Sequence, residues 1–241
     1  MYGKGHYLIS GDKGLVVEFG NDISEAVNRK VRNMYLAVRK NRIQGIYEMI
    51  PTYRSLLIQY DPLELEIDKL IDTLKEIENT LDSIDLPKPR IIGLPTIYGG
   101  EYGEDLSFVA EHNGVSEAEV VRIHSSVDYL IYMLGFTPGF PYLGGMSEKL
   151  ETPRLNTPRT RIPAGSVGIA GKQTGVYPIE SPGGWRLIGR TPVKLYDPGR
   201  RIPIILQAGD YIRFVPVEKE EYDSISRLAE ENRYEIEIAA E

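Results

Sequence analysis

GFTPGFPYLGGM at residues 135–146 opens a segment that continues through RIPAGSVGIAGKQTGVYP (161–178) to SPGGWRLIGRTP (181–192). Its glycines and prolines recur too densely for a long helix, and short β-branched or aromatic runs lie between them. Glycine lets the backbone approach a neighbour or a ligand closely, and proline restrains a loop. The segment therefore predicts short strands joined by individually shaped turns, which together can form a binding surface.

The sequence on either side of this segment continues the β pattern. Residues 127–134 form an almost continuous apolar strand that leads into the segment, and residues 202–207 and 211–215 predict a hairpin around Ala208-Gly209-Asp210. Two short helices are expected before the segment, one over residues 104–113 that Gly114 stops and one that starts at the capping box Ser116-x-x-Glu119. An acidic helix is expected over residues 218–232. Many short strands in series predict a closed or nearly closed barrel.

The first third of the chain has a different pattern. Strands are predicted at residues 15–19, 46–50 and 55–60, and the first of these can pair with residues 7–9. Asn21 or Asp22 can cap a first helix, and Asp61-Pro62 can start a second. The order strand, helix, strand, strand, helix predicts a small α/β domain of the ferredoxin-like kind.

Proline content marks the change between the two patterns. Of the 16 prolines, 14 lie between Pro87 and Pro216. We predict an N-terminal α/β domain at residues 1–86 and a mainly-β domain at residues 87–241, which makes the fold class α+β.

Composition excludes several functions. The net charge is −7, so the charge balance does not resemble that of a nucleic-acid-binding protein, and no apolar run is long enough for a membrane span. The N-terminus lacks the apolar core of an export signal, so we expect a cytoplasmic protein. Cysteine is absent and the only histidines are His6, His112 and His124, so no metal site is predicted.

The three quoted motifs, with His124 just upstream, resemble the family of allophanate hydrolase subunit 1, which includes the B-type subunit of 5-oxoprolinase and the kinase inhibitor KipI. The resemblance implies a cyclophilin-like barrel preceded by a small α/β domain. It also implies two partners: allophanate hydrolase subunit 2, equivalent to the C-type subunit of 5-oxoprolinase, and an A-type subunit. Together these proteins would open 5-oxoproline to glutamate with ATP.

An ATP-dependent reaction requires a surface for the triphosphate and Mg²⁺, yet this sequence has no phosphate-binding loop. Gly168-Ile169-Ala170-Gly171-Lys172 has the wrong spacing for one. No Ser-His-acid set is readable either, so we do not predict a self-sufficient hydrolase. ATP and Mg²⁺ are expected to be shared with, or bound by, the partner subunits.

Candidate site residues come from the motifs. A guanidinium group fits a carboxylate or phosphate, so five arginines in the motif region are candidates to bind an anion: Arg154, Arg159, Arg161, Arg186 and Arg190. Among them we predict this role for Arg186, and we predict that His124 acts as acid, base or hydrogen-bond donor. The other candidates for substrate binding are Phe136, Pro138, Gly139, Phe140, Tyr142, Arg159, Ser166, Gln173, Thr174, Tyr177, Gly183, Gly184, Trp185 and Arg190. The alternatives are that the arginines pair with nearby acids, that His124 caps a helix, and that the aromatic residues form barrel core or a subunit interface.

The leading hypothesis is the B-type subunit of an ATP-dependent 5-oxoprolinase. A rival is a binding module that inhibits a sensor histidine kinase, as the resemblance to KipI implies. A third is a urea carboxylase-like component that transfers a carboxyl group and depends on a separate biotin carrier.

Overall fold

The computed structural model describes residues 1–81 and 88–240. Its backbone divides into two compact units, Met1–Pro87 and Lys88–Glu241. The proline-rich connection predicted over residues 82–90 lies largely outside the described residues. Within the described part of the chain the architecture is mixed α/β and mostly β. None of the described helices is both long and apolar enough to cross a bilayer.

The first unit contains β1 (His6–Ser10), β2 (Gly14–Glu18), α1 (Glu25–Asn41), β3 (Ile46–Pro51), β4 (Ser55–Tyr60) and α2 (Ile67–Glu78). Its described strands form one antiparallel sheet in the order β1-β2-β4-β3. The apolar stripes of both helices bury residues such as Val31, Met34 and Leu74 in a common core with Leu15 and Ile58 of the sheet.

Both helices of this unit begin later than the sequence suggests. The cap of α1 is Ser24, whose hydroxyl accepts a hydrogen bond from the Val27 amide at 3.4 Å, instead of Asn21 or Asp22. Ile23 therefore precedes the helix and is exposed. The α2 helix starts at Ile67, because the carbonyl of Asp61 accepts turn hydrogen bonds from Glu64 and Leu65 before the helix begins.

The second unit is built mainly of short strands. Its elements are β5 (Arg90–Tyr98), α3 (Leu106–Asn113), α4 (Glu117–Ser125), β6 (Asp128–Leu134), β7 (Pro141–Gly144), β8 (Arg159–Ile162), β9 (Ser166–Ala170), β10 (Gln173–Val176), β11 (Ser181–Gly183), β12 (Arg186–Arg190), β13 (Tyr211–Pro216), α5 (Lys219–Glu230) and β14 (Ile238–Ala240).

The main sheet of this unit forms a nearly closed barrel. Its strand order is β10-β9-β12-β5-β13-β6-β7, with β14 also paired to β5. The end strands β7 and β10 lie against each other, but no backbone ladder joins them among the described residues. The barrel thus has a seam, and the motifs at residues 135–146 and 161–178 supply the two strands that border it.

The predicted hairpin at residues 202–215 is wrong. Residues 202–207 form no strand, and their only described bridge joins Ile204 to Tyr196. Instead β13 pairs in parallel with β5 and antiparallel with β6. The sequence has a turn signal between two apolar runs, but β13 pairs with strands that are distant in sequence and not with residues 202–207.

Two helix signals in this unit are confirmed. Gly114 ends α3 in the left-handed conformation, with φ 65°, and its amide bonds to the last carbonyls of the helix. Ser116 caps α4 by accepting a hydrogen bond from the Glu119 amide at 3.2 Å.

Candidate functional site

A pocket of about 350 Å³ lies at the barrel seam. We call it the aromatic pocket. It is lined by Phe136, Phe140, Tyr142, Arg154, Pro158, Gln173, Tyr177, Pro182, Gly183, Gly184 and Trp185. Its volume lies in the range of small-molecule sites, and its lining combines aromatic walls with few polar groups, as such sites do.

The aromatic walls pack edge to face. Phe140 is at the centre: its ring centroid lies 5.4 Å from that of Tyr177 and 5.7 Å from that of Trp185, with interplanar angles of 75° and 88°. Such arrangements place the positive edge of one ring against the negative face of another. Phe140, Tyr177 and Trp185 are almost fully buried, so the walls are rigid.

Phe136 forms the exposed rim of the pocket. Its φ of 62° is in the left-handed region, which is unusual for a side chain of this size, and the ring is 63% exposed. The turn that holds it is closed by the Phe140 amide, which donates to the Thr137 carbonyl at 3.0 Å. This conformation leaves a large apolar ring at the mouth of the pocket.

Arg154 is the cation of the pocket. It is one of the five arginines in the motif region that could bind an anion, although the sequence favours Arg186 for that role. Among the described residues, no carboxylate lies within ion-pair distance of its guanidinium. Burial raises the pKa of Tyr177 to about 12, and the charge of Arg154 opposes that shift. The pocket therefore has a net positive charge at neutral pH.

Gly183 and Gly184 shape one wall of the pocket. A Cβ on Gly183 would collide with the Tyr177 hydroxyl oxygen and lie 2.9 Å from Cδ1 of Ile162, whereas one on Gly184 would meet nothing closer than 3.7 Å. We expect Gly183→Ala to displace Tyr177 and to lower the thermal midpoint by several degrees, because overpacking costs about 1–3 kcal/mol. Gly184→Ala is the matched control and should behave as wild type. Equal melting temperatures for both variants would contradict this account of the wall.

Arg159 and Arg186 do not line the pocket. Both pair instead with Asp105, which is 7% exposed: Arg159 Nη2 lies 2.9 Å from Oδ2, and Arg186 Nη1 lies 3.4 Å from Oδ1. The Leu187 amide also donates to Asp105 at 2.7 Å. The guanidinium of Arg186 stacks 3.6 Å from the centroid of Phe108. The structure thus places both arginines in an ion-pair cluster, whereas the motifs predict substrate contact.

This cluster nevertheless touches the pocket through the backbone. Arg159 Nη1 donates to the Trp185 carbonyl at 3.2 Å, and the Leu187 amide, two residues further along the chain, donates to the Asp105 carboxylate. Asp105 and Arg159 therefore fix the path of residues 185–187, on which the Trp185 wall depends.

His124 lies in the core and does not line the pocket. It is fully buried; its Nδ1 is 2.8 Å from the Tyr98 hydroxyl and its Nε2 is 2.7 Å from the Thr174 hydroxyl. Thr174 donates its proton to the Gly168 carbonyl at 3.2 Å, so it must accept from Nε2. His124 is therefore the neutral Nε2–H tautomer, and Tyr98 donates to Nδ1. Both nitrogens are occupied, and this differs from the prediction of an acid or base in contact with substrate.

Burial lowers the pKa of His124 from 6.5 to about 3. Between these values the unfolded chain binds a proton at this side chain and the folded chain does not. As the pH is lowered from about 6.5 to about 3, this group should therefore reduce the free energy of unfolding by up to about 1.4 kcal/mol per pH unit. Denaturant titrations should show a smaller pH slope for His124→Gln than for wild type. Identical slopes for the two proteins would contradict the assignment.

The remaining predicted residues lie outside the pocket. Pro138 is exposed, Gly139 is buried within its turn, and Ser166 is buried in β9. Thr174 serves the His124 network, and Arg190 lines a different cavity. The pocket unites eight predicted residues with Arg154, Pro158 and Pro182. Pro182 lies in the third motif, and Arg154 and Pro158 lie shortly before the second. Their role in binding stays a prediction.

Similarity to known proteins places this chain in a family. The family model for the carboxyltransferase domain, subdomain C and D, matches residues 6–206. The chain belongs to this family. It is 43% identical over 222 residues to the B-type subunit of 5-oxoprolinase from Bacillus subtilis, covering 88% of this chain and 92% of that protein. The corresponding subunit from Escherichia coli O157:H7 is 44% identical over 211 residues, covering 87% and 94%.

Longer proteins also match. The crystal structure of TTHA0988 superposes with a TM-score of 0.78 at 38% identity, covering 86% of this chain but only 40% of that chain. Urea amidolyase of Lachancea kluyveri is 28% identical over an alignment of 266 positions, which covers 96% of this chain and 14% of that protein. The chain is thus a homologue of the B-type 5-oxoprolinase subunits and a more distant relative of urea amidolyase.

Proposed function

We propose that this carboxyltransferase-family protein is the B-type subunit of an ATP-dependent 5-oxoprolinase. The complex converts 5-oxo-L-proline, ATP and water to L-glutamate, ADP and phosphate, and the chain acts there with a C-type and an A-type subunit. The observation that carries the proposal is the 43% identity to a B-type 5-oxoprolinase subunit over nearly the full length of both proteins.

We assign the two units to two domains, at residues 1–86 and 87–241, and propose that each folds on its own. The sheet order β1-β2-β4-β3 supports a ferredoxin-like first domain in which β1 occupies the place of the usual last strand. The seven-strand path from β10 to β7 supports a cyclophilin-like barrel for the second domain.

The aromatic pocket suits 5-oxoproline. The substrate has a flat lactam ring and a carboxylate, so Trp185 and Tyr177 can pack against the ring while Arg154 binds the carboxylate. Gln173 lies in the same lining and can hydrogen-bond the lactam amide with its own amide group. In this assignment Arg154 takes the anion-binding role that the motifs predict for Arg186.

The pocket does not provide the chemistry to open the ring. The described residues that line it include no serine, histidine or carboxylate, so they offer neither an activated nucleophile nor a site that fits Mg²⁺. Opening an unstrained lactam with ATP is expected to proceed by phosphorylation of the amide oxygen. In our proposal this chain binds and orients the lactam, and the partner subunits bring ATP and Mg²⁺ to it.

Reconstitution tests the proposal. The purified chain, mixed with candidate A-type and C-type subunits, ATP, Mg²⁺ and 5-oxoproline, should release glutamate and ADP in equal amounts. Omitting this chain should abolish glutamate release. Folded components that assemble but produce no glutamate would contradict the proposed function.

A carboxyl-transfer role is the second candidate, favoured by the similarity to urea amidolyase. It predicts that the chain and its partner exchange a carboxyl group with a biotin carrier, measured as ATP-independent decarboxylation of carboxybiotin. Inhibition of a sensor histidine kinase stays a prediction from the resemblance to KipI. It would show as lowered kinase autophosphorylation when the chain is added alone.

A further inference from the structure

A second cavity of about 450 Å³ lies between α5 and the loops at one end of the barrel. We call it the α5 cleft. Gly165, Arg190 and Lys194 line it from the barrel side, and Tyr222 and Glu230 line it from the helix. It shares no lining residue with the aromatic pocket, so it is not part of the site already described.

Arg190 has an unsatisfied donor beside this cleft. The residue ends β12, its Nε is buried, and this atom has no hydrogen-bond partner among the described residues. Its guanidinium carbon lies 5.5 Å from the centroid of Tyr102, and no described carboxylate pairs with it. A buried donor without an acceptor destabilises the folded chain, and an oxygen of a ligand can remove that cost by accepting a hydrogen bond from it.

The other charges of the cleft leave an excess of positive charge. Lys194 has no ion pair with a described residue, whereas Glu180 is paired with Arg161 at 2.6 Å. Glu230 is the remaining acid and is exposed on α5. Two cations therefore face one uncompensated carboxylate, and such an arrangement favours an anionic ligand.

The wall beside Arg190 has a fixed shape. Gly165 has φ 81°, and a Cβ at this position would collide with the Thr191 carbonyl oxygen. The Thr191 amide donates to the Gly165 carbonyl at 2.9 Å, which ties the two loops together directly after β12. Arg190 is therefore presented from backbone that is rigid before any ligand arrives.

From this geometry we propose that the α5 cleft binds the oxyanion of a small molecule, a phosphate or a carboxylate. Arg190 supplies the planar donor fork and Lys194 the second positive charge. The tyrosine, proline and valine side chains around them provide walls for the apolar part of such a ligand. This is a ligand site separate from the one proposed for 5-oxoproline.

The test uses the full-length chain without partner subunits, so it does not depend on 5-oxoprolinase activity. The ¹⁵N-labelled protein is titrated at constant ionic strength with inorganic phosphate, ATP, L-glutamate and 5-oxoproline. We expect at least one probe to shift the backbone amide resonances of Gly165 and Thr191 in a saturable way. The phosphate and ATP arms identify a phosphoryl ligand, and the other two arms identify a carboxylate.

Four variants make the result specific. Arg190→Gln should weaken binding at these amides about tenfold or more, the loss expected for one charge-assisted contact, and Glu230→Gln should strengthen it. Arg122→Gln removes an exposed arginine on α4 and should change nothing. If Arg190→Gln does not fold, Lys194→Gln should still weaken binding severalfold. No saturable shift with any probe, or equal affinity in the cleft variants and wild type, would overturn the proposal.

Discussion

Asp105→Asn is expected to lower the free energy of unfolding of the second unit by about 3 kcal/mol, the lower end of the range for breaking a buried ion pair. The carboxylate accepts from the Leu187 amide and pairs with two arginines that are themselves only partly exposed. Asparagine keeps the size of the side chain but removes its charge, so Arg186 would be left largely buried and uncompensated, and Arg159 would keep only its ion pair with exposed Glu104.

Trp185 makes this measurement simple, because it is the only tryptophan of the chain. Its carbonyl is held by Arg159, so its fluorescence should report both unfolding and any local shift of the pocket wall. Urea titrations of Asp105→Asn should show an earlier transition and a red-shifted native spectrum.

Glu104→Gln provides the matched control. Glu104 pairs with the same Arg159 at 2.9 Å but its side chain is 58% exposed, so its loss should cost less than about 1 kcal/mol. A similar loss of stability in both variants would mean that burial does not set the strength of this cluster.

Asp105 also shows where prediction from the sequence stops. Helix ends can be predicted, because their signals depend on residues within about one helical turn: Ser116 caps α4, and Gly114 ends α3. The glycine-rich motifs predict a site, and eight of their residues do line one pocket. Each of these signals depends on residues that are close in sequence or on residue types with a narrow conformational use.

The partners of charged and polar side chains cannot be predicted from the sequence, because they depend on packing between residues that are far apart in the chain. Arg159 and Arg186 meet an aspartate 54 and 81 positions away, and His124 bonds to a threonine 50 positions away. The same limit explains the wrong hairpin at residues 202–215, since β13 pairs with β5, about 120 residues earlier. The sequence does not rank Arg154 above the other arginines of the motif region for a related reason: nothing local distinguishes an arginine that faces a pocket from one that faces solvent.

Arg154→Gln is expected to have the largest effect on substrate binding. Arg154 is the one cation among the described residues that line the aromatic pocket, and no described carboxylate pairs with it. A hydrogen-bonded ion pair with a ligand carboxylate contributes about 1.5–3 kcal/mol, so its loss should raise the KM for 5-oxoproline about 10- to 100-fold. The effect should fall mainly on KM, because the carboxylate does not take part in ring opening and keeps its charge throughout.

Two measurements distinguish this binding role from a general loss of structure. The KM and kcat of the reconstituted complex are measured with Arg154→Gln and with Arg161→Gln, which removes an exposed arginine that is paired with Glu180 and lies outside the pocket. Quenching of Trp185 fluorescence by 5-oxoproline gives the affinity in the same samples. A raised KM and a matching loss of affinity only in Arg154→Gln would support the assignment. If kcat falls while KM stays constant, Arg154 acts on the transition state, and its proposed role in carboxylate binding is wrong.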